Sequence, residues 1–264
     1  MNGKVSSLSM ACMVISCVLG IAIPLIVFIY LRKKKNADVK TFFIGCLIFF
    51  VFAMVFEGNI NRLIFNTPFG ETLNNNIWLY ALFGGFMAGL FEEVGRFFGF
   101  QFIKEKMDND YNALMYGAGH GGMEMFLLFS VTMINNLIFS SMINSGSIDT
   151  VLSSLSGNEL TQMEAVVDSL VSYPAYMFII GIFERIFALM LHMALSVLVW
   201  FSVKDKSKRY LFFIAILIHM FVDAASVLMA SFEWPIVVLE GCIFIMALAT
   251  CLFAKKVWDS VKAQ

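Results

Sequence analysis

Seven long apolar runs dominate this sequence, and each approaches or exceeds the roughly 20 residues that a membrane-spanning helix needs. Hydrocarbon offers no hydrogen-bond partners, so only α-helices and closed β-barrels cross it. The runs lack the period-two alternation of barrel strands. The sequence therefore predicts an all-α polytopic transmembrane bundle with spans at about residues 8–31, 42–56, 77–103, 111–140, 174–203, 210–231 and 235–255.

The basic residues predict how the bundle is oriented. Only 14% of the chain is charged, against roughly 25% in soluble domains, and the lysines and arginines are segregated rather than pooled in a nucleic-acid-binding patch. By the positive-inside rule, we expect a multi-pass protein of the cytoplasmic membrane with its N-terminus outside and its C-terminus inside. Lys4 and Arg62 fall on the predicted outer side, and the inner side carries Arg32, Lys33, Lys34, Lys35, Lys40, Lys104, Lys106, Lys204, Lys206, Lys208, Arg209, Lys255, Lys256 and Lys262.

A single integral membrane domain is expected over residues 1–264, with an extracellular loop at about 145–173 that contains acidic residues but no lysine or arginine. Within this loop, Thr161 and Glu164 have the spacing of a capping box, which predicts the start of a short helix.

Glycines recur at helical spacing in the third and fourth spans. Gly85-x-x-x-Gly89 and Gly95-x-x-x-Gly99 predict close approach of neighbouring helices. A formal Gly-x-Gly-x-x-Gly pattern at residues 117–122 lies inside an apolar run with no preceding strand, so we do not assign it to dinucleotide binding.

Ionisable residues interrupt spans three to six. The seven formally charged ones, left unpaired at roughly 2.5–3.5 kcal/mol each, would cost on the order of 20 kcal/mol, above a typical stability of about 5–15 kcal/mol. They must therefore be paired, neutralised or hydrated. Three pairs lie four residues apart and share a helix face: Glu92 and Arg96, His120 and Glu124, and His219 and Asp223. The other members of the cluster are Glu93, Glu184, Arg185 and His192.

The depths of these residues agree. Counted from the predicted cytoplasmic ends of their spans, Glu93, His120, His192 and His219 all lie roughly 14–17 Å into the membrane, at a rise of 1.5 Å per residue. All three histidines of the chain therefore fall in one layer with the acidic pair. This agreement between four spans predicts a single polar site.

Carboxylates and imidazoles around a hydrated cavity suit hydrolysis, because a carboxylate accepts a proton from water while histidines orient that water and stabilise an oxyanion. The sequence lacks the His-Glu-x-x-His, Gly-x-Gly-Asp and Gly-x-Ser-Gly motifs of other intramembrane proteases. A metal site formed by His120, His192 and His219, or by two histidines and a glutamate, is chemically allowed.

Four polar motifs follow one another along spans three to six: Glu92-Glu93-x-x-Arg96, His120-Gly-Gly-x-Glu124, Glu184-Arg185 followed by His192, and His219-x-x-x-Asp223. Their order and spacing resemble those of the YhfC-type membrane proteins. That family is similar to the PrsW and CAAX-prenyl (CPBP, Rce-type) proteases, glutamic intramembrane peptidases once described as metal-dependent. The PrsW pattern has lysine where Arg96 stands, and the CAAX-type pattern commonly has asparagine where Asp223 stands.

The resemblance implies a catalytic core at about residues 77–231. It implies that Glu92 activates water with the aid of His192, and that His219 with Asp223 supports the oxyanion. The candidate catalytic residues are Glu92, Glu93, His192, His219 and Asp223, and the supporting polar cluster is Arg96, His120, Glu124, Glu184 and Arg185. We therefore predict a glutamic-type intramembrane endopeptidase that cleaves membrane-embedded or membrane-adjacent peptides and has no requirement for zinc.

Two other functions use the same residues. A proton- or ion-coupled transporter would use the carboxylates and histidines as a relay. A non-catalytic scaffold or immunity protein would bind another membrane protein, since the superfamily resembles a scaffold subunit of a multisubunit protease.

For a hydrolase, we expect spans three to six to surround a cavity open to the cytoplasmic side, with spans one, two and seven peripheral. We expect Glu92 to face this cavity and Glu93 to pair with a neighbour such as Arg185.

Overall fold

A computed structural model of the chain describes residues 3–103, 105 and 108–262, most of which are helical and none of which forms a strand. Seven of the helices are long and apolar enough to cross a membrane, which confirms the predicted all-α polytopic fold. Lys104 and Lys106 lie outside the described residues, and the orientation of the termini stays a prediction. In chain order the helices are α1 (Ser7–Lys35), α2 (Val39–Phe65), α3 (Pro68–Asn74), α4 (Ile77–Phe102), α5 (Tyr111–Ser145), α6 (Ile148–Ser154), α7 (Gly157–Ser172), α8 (Tyr176–Lys204), α9 (Tyr210–Ser231) and α10 (Ile236–Lys262).

The second span is longer than its apolar run. Helix α2 contains a π-helical stretch, Phe50–Glu57, and continues to Phe65 instead of ending near residue 56. The polar residues after Phe56 bond within the helix: Asn59 Nδ2 donates to Val55 O at 2.6 Å, and Asn61 Nδ2 donates to Glu57 Oε1 at 3.2 Å. The helix therefore extends past the end of its apolar run, because polar side chains can continue it by bonding within the helix.

The chain divides into two compact units, Met1–Ile23 with Met125–Arg185, and Pro24–Glu124 with Ile186–Gln264. The first unit contains the predicted loop, most of which is helical in α6 and α7. Helix α7 begins at Gly157, and the hydroxyl of Thr161 donates to Gly157 O at 3.3 Å from within the helix. The capping-box prediction is wrong, because Thr161 lies one turn inside the helix rather than at its start.

Glycines set the helix spacing in the second unit. A methyl group added at Gly85 would lie 2.4 Å from Met220 O of α9, and one added at Gly89 would lie 2.8 Å from Ile216 O. One added at Gly119 would lie 2.0 Å from Phe42 O of α2. The predicted close approach of helices at Gly85-x-x-x-Gly89 is confirmed, and it holds α4 against α9.

The Gly-x-Gly-x-x-Gly pattern lies within α5 and serves packing. Besides the contact of Gly119 with α2, a methyl group at Gly117 would lie 2.6 Å from Met193 Cα of α8, and one at Gly121 would lie 3.1 Å from His192 Cβ. Helix α5 is therefore close to α2 on one side and to α8 on the other.

We predict that Gly85→Ala lowers the thermal stability of the detergent-purified protein, while its neighbour Gly84→Ala does not. The added methyl at Gly85 meets backbone atoms of α9, and such overpacking typically costs about 1–3 kcal/mol. At Gly84 nothing lies within 4 Å, so alanine adds only helix propensity. Equal unfolding temperatures for the two variants, measured by circular dichroism, would contradict the glycine-mediated packing of α4 on α9.

Candidate functional site

The cluster predicted from sequence comes together in the second unit from four helices. Helix α4, capped by Asn76, carries Glu92, Glu93 and Arg96. Helix α5 contributes His120 and Glu124, α8 contributes His192, and α9 contributes His219 and Asp223. The residues that are buried are Glu92, Glu93, Arg96, His120, His192 and His219.

The carboxylate of Glu92 lies among all three histidines. Its Oε2 is 2.9 Å from His120 Nε2, 3.9 Å from His192 Nδ1 and 4.0 Å from His219 Nε2. The rings of His120 and His192 are 5.0 Å apart between centroids, and those of His192 and His219 are 5.2 Å apart. The expected meeting of Glu92, His192 and His219 at one point is therefore present.

Glu93 has a different role from its neighbour. It accepts two hydrogen bonds from Arg96, from Nε at 2.9 Å and from Nη2 at 3.1 Å, and neither side chain is exposed to solvent. Arg96 also donates to His192 O at 2.9 Å and to the hydroxyl of Ser196. Glu93 pairs with a neighbouring cation as expected, but that cation is Arg96 on its own helix rather than Arg185. A cavity at Glu92 stays a prediction.

The donors around the histidines determine their tautomers. Arg96 Nη2 lies 3.1 Å from His192 Nδ1, and because a guanidinium only donates, Nδ1 is the acceptor. The ring proton of His192 is then on Nε2, which lies 2.5 Å from Glu124 Oε2. His219 Nδ1 donates to Glu93 Oε1 at 2.9 Å, because the arginine-paired carboxylate is an acceptor only.

The result is a shared pattern for two histidines. His192 and His219 each have one ring nitrogen on a carboxylate, Glu124 or Glu93, and the other directed toward Glu92. Asp223 Oδ2 lies 3.5 Å from His219 Nε2. The side chain of Asp223 is 37% exposed, against 10% for that of Glu92, so Asp223 is the more accessible carboxylate of the two. The predicted contact between His219 and Asp223 within α9 is confirmed.

The remaining predicted residues lie in the first unit. Arg185 Nη2 donates to the carboxylate of its neighbour Glu184. Access to the centre from the cytoplasmic side stays a prediction.

Two residues of the second span lie at the site, although span two was expected to be peripheral. The Phe49 ring packs edge-on to His120, with 5.2 Å between centroids. Glu57, at the end of the π-helical stretch, interacts electrostatically with Glu92, His219 and Asp223. The prediction that span two is peripheral is therefore wrong. In the sequence, the position of Glu57 directly after the apolar run could have indicated that span two takes part in the site.

Glu92, His192 and His219 also have the composition of a metal site. Each offers a ligand atom, and these atoms lie within 4.8 Å of one another. Two histidines and a glutamate bind catalytic zinc in several proteases. Carboxylates on the outer histidine nitrogens are the usual outer partners of such ligands, since they orient the rings. A metal ion would compete with Arg96 Nη2 for His192 Nδ1. It would also compete with His120 Nε2, which lies 2.9 Å from Glu92 Oε2, for that carboxylate oxygen.

The fold and this centre define a polytopic helical membrane protein with a buried glutamate–histidine cluster in its spans. The chain belongs to the YhfC intramembrane metalloprotease family, whose sequence model matches residues 19–243. It is 30% identical over 226 residues to the uncharacterized membrane protein YhfC of Bacillus subtilis (strain 168), covering 85% of this chain and 86% of the relative. No solved structure gives a significant match. The predicted family and the multi-pass membrane location are thus confirmed, and the description of the family indicates a membrane protease.

We predict that Glu93→Gln and Glu92→Gln have different effects on stability. Glu93→Gln leaves the buried Arg96 without its counter-ion and should cost about 3–5 kcal/mol, the usual penalty for breaking a buried ion pair. Glu92→Gln removes a carboxylate that has no guanidinium on it in this arrangement and should leave the unfolding temperature unchanged or raised. The measurement is thermal unfolding of both variants in the same detergent. Similar losses in both would contradict the assignment of separate roles.

Proposed function

We propose that the chain is a membrane-embedded endopeptidase whose reaction centre is Glu92 between His192 and His219. The observation that carries this proposal is the convergence of one buried carboxylate oxygen and two histidine nitrogens, each histidine being held from behind by a second carboxylate. The family description supports the same class of reaction. Substrates are peptide bonds within or next to the bilayer.

The donor set fits a divalent metal such as zinc, and Glu92 Oε2, His192 Nδ1 and His219 Nε2 would hold it. When bound, the ion would polarise the scissile carbonyl and make water a stronger nucleophile at neutral pH. Glu124 and Glu93 keep the ring planes of His192 and His219 directed at the centre. Asp223, partly exposed and next to His219, is placed to accept a proton from an incoming water.

A metal-free, glutamic-type version is the second candidate, favoured by the hydrogen bond from Arg96 to His192 Nδ1. In this version Glu92 Oε2 accepts a proton from water and later gives it to the leaving amine. His120, whose Nε2 lies 2.9 Å from that oxygen, orients the carboxylate. Asp223 must be protonated to donate a hydrogen bond to the oxyanion, since an ionised carboxylate only accepts.

We predict that Glu92→Gln lowers peptide cleavage by roughly 10²–10⁴-fold, the usual contribution of a positioned acid–base group. The isosteric amide keeps the volume of the side chain, but it removes the carboxylate that would be a metal ligand in the first version and the base in the second. Cleavage is measured with a peptide library on protein purified in detergent. Glu159→Gln is the matched control, because Glu159 is an exposed glutamate of α7. Equal cleavage by Glu92→Gln and the wild type would remove Glu92 from the mechanism.

Metal analysis separates the two versions. Purified without chelators, the protein should contain about one zinc per chain, as expected for one His₂Glu site. His192→Ala and His219→Ala should each abolish this zinc. His120→Ala is the matched control and should retain it, because His120 is not one of the three candidate ligands. Activity that survives chelation in a zinc-free preparation would instead establish the metal-free version.

A further inference from the structure

We propose that the second unit carries a binding groove for an anionic phospholipid, separate from the glutamate–histidine centre. A cavity of about 390 Å³ lies between the start of α5, the second half of α8 and the end of α10. Part of its lining is apolar, and we call this part the floor: Leu114, Met190, Met193, Val197 and Cys251. The titratable residues of the reaction centre do not line it.

We call the end of the groove that is lined by Tyr111, Lys255 and Trp258 its mouth. Two further lysines, Lys35 and Lys262, contact these rings from outside the lining. Lys35 Nζ lies 4.8 Å from the centre of the Tyr111 ring, and Lys262 Nζ lies 5.3 Å from the same ring and 4.9 Å from that of Trp258. Lys255 also lines the groove. Such amphipathic aromatic rings and lysines gather where membrane helices leave the hydrocarbon.

The helix ends place this mouth independently of any assumed orientation. Lys35 is the last residue of α1, Lys262 is the last of α10, and Tyr111 is the first of α5. These ends lie at the level where the membrane-spanning helices leave the hydrocarbon, which is the level of lipid headgroups.

Charge favours an anion at this mouth. The ammonium groups of Lys35 and Lys262 are held over ring faces, and a cation–π contact does not neutralise the cation. Lys255 Nζ lies 2.6 Å from Asp259 Oδ2, so one carboxylate accompanies three ammonium groups among the residues named here. The excess positive charge is complementary to a phosphate.

An apolar floor below a basic mouth matches an amphiphile better than a soluble anion. The floor extends along α8 from Val197 to Met190, roughly 10 Å at 1.5 Å per residue, and would accept the upper part of an acyl chain. A free phosphate would leave these apolar walls uncovered. Basic pockets between membrane helices are known to bind anionic lipid headgroups.

Trp258 provides a reporter at the groove. The protein is reconstituted in phosphatidylcholine vesicles that contain the same minor fraction of either phosphatidylglycerol or phosphatidylcholine with brominated acyl chains. The emission of Trp258 is obtained as the difference between the wild type and Trp258→Phe. We expect brominated phosphatidylglycerol to quench this emission more strongly than brominated phosphatidylcholine. Equal quenching by the two brominated lipids would overturn the proposal. Quenching by neither lipid would also overturn it, and is the result expected if a second copy of the chain covers the groove.

Variants test whether the lysines at the mouth cause the preference. Lys35→Gln with Lys262→Gln should reduce the preference for phosphatidylglycerol by roughly fivefold for each lysine, while Lys35→Arg with Lys262→Arg should retain it. The matched control is Lys34→Gln with Lys256→Gln, which removes the same charge from exposed positions on α1 and α10. An equal reduction of the phosphatidylglycerol preference in this control would show that general surface charge causes it, and would overturn the proposed binding site. Loss of quenching on addition of soluble glycerophosphate would assign the mouth to a free phosphate and likewise overturn the lipid proposal.

Discussion

The buried ion pair between Glu93 and Arg96 is the interaction on which the centre depends. Removing two charges from water costs several kcal/mol per ion unless geometry and further hydrogen bonds offset it. Here Arg96 makes two bonds to Glu93 and reaches His192 O and Ser196, while Glu93 also accepts from His219. One pair on α4 thereby positions residues of both α8 and α9.

This arrangement separates structure from chemistry within two adjacent glutamates. Glu93 is fully occupied by a permanent cation and a histidine, so it is poorly suited to exchange protons. Glu92 faces histidines, whose protonation can change during a reaction. The metal-bound and metal-free versions of the proposed chemistry give Glu92 different roles, a metal ligand in one and the base in the other. At His192 Nδ1, Arg96 and a metal ion would compete.

Close helix packing allows so many polar groups to meet. Four glycines bring the helix backbones together, because a larger residue at any of them would clash with backbone atoms of α9, α8 or α2: Gly85, Gly89, Gly117 and Gly119. In a membrane, where lipid tails are as apolar as the side chains, such packing and interhelical hydrogen bonds hold helices together. The same closeness makes each buried polar atom reachable by a partner on another helix.

The sequence by itself determined the class of fold, the membrane location and most members of the centre. Span length follows from bilayer thickness, and a constant rise per residue was enough to place Glu93, His120, His192 and His219 at one depth. The family motifs added Glu92 as the central carboxylate. These properties are local or one-dimensional, so they can be obtained without knowing how the helices pack.

The tertiary structure decided the partners. Pairs that share a helix face suggested contacts within helices, yet His120 meets Glu92 and Glu124 meets His192 across helices, because the rotation of each helix is set by side-chain packing. Phe49 reaches His120 from within the apolar run because α2 packs on the glycines of α5. Glu57 follows directly after that run on the same helix. Hydropathy describes the cost of entering lipid, and it contains no information about which neighbour a buried charge will find.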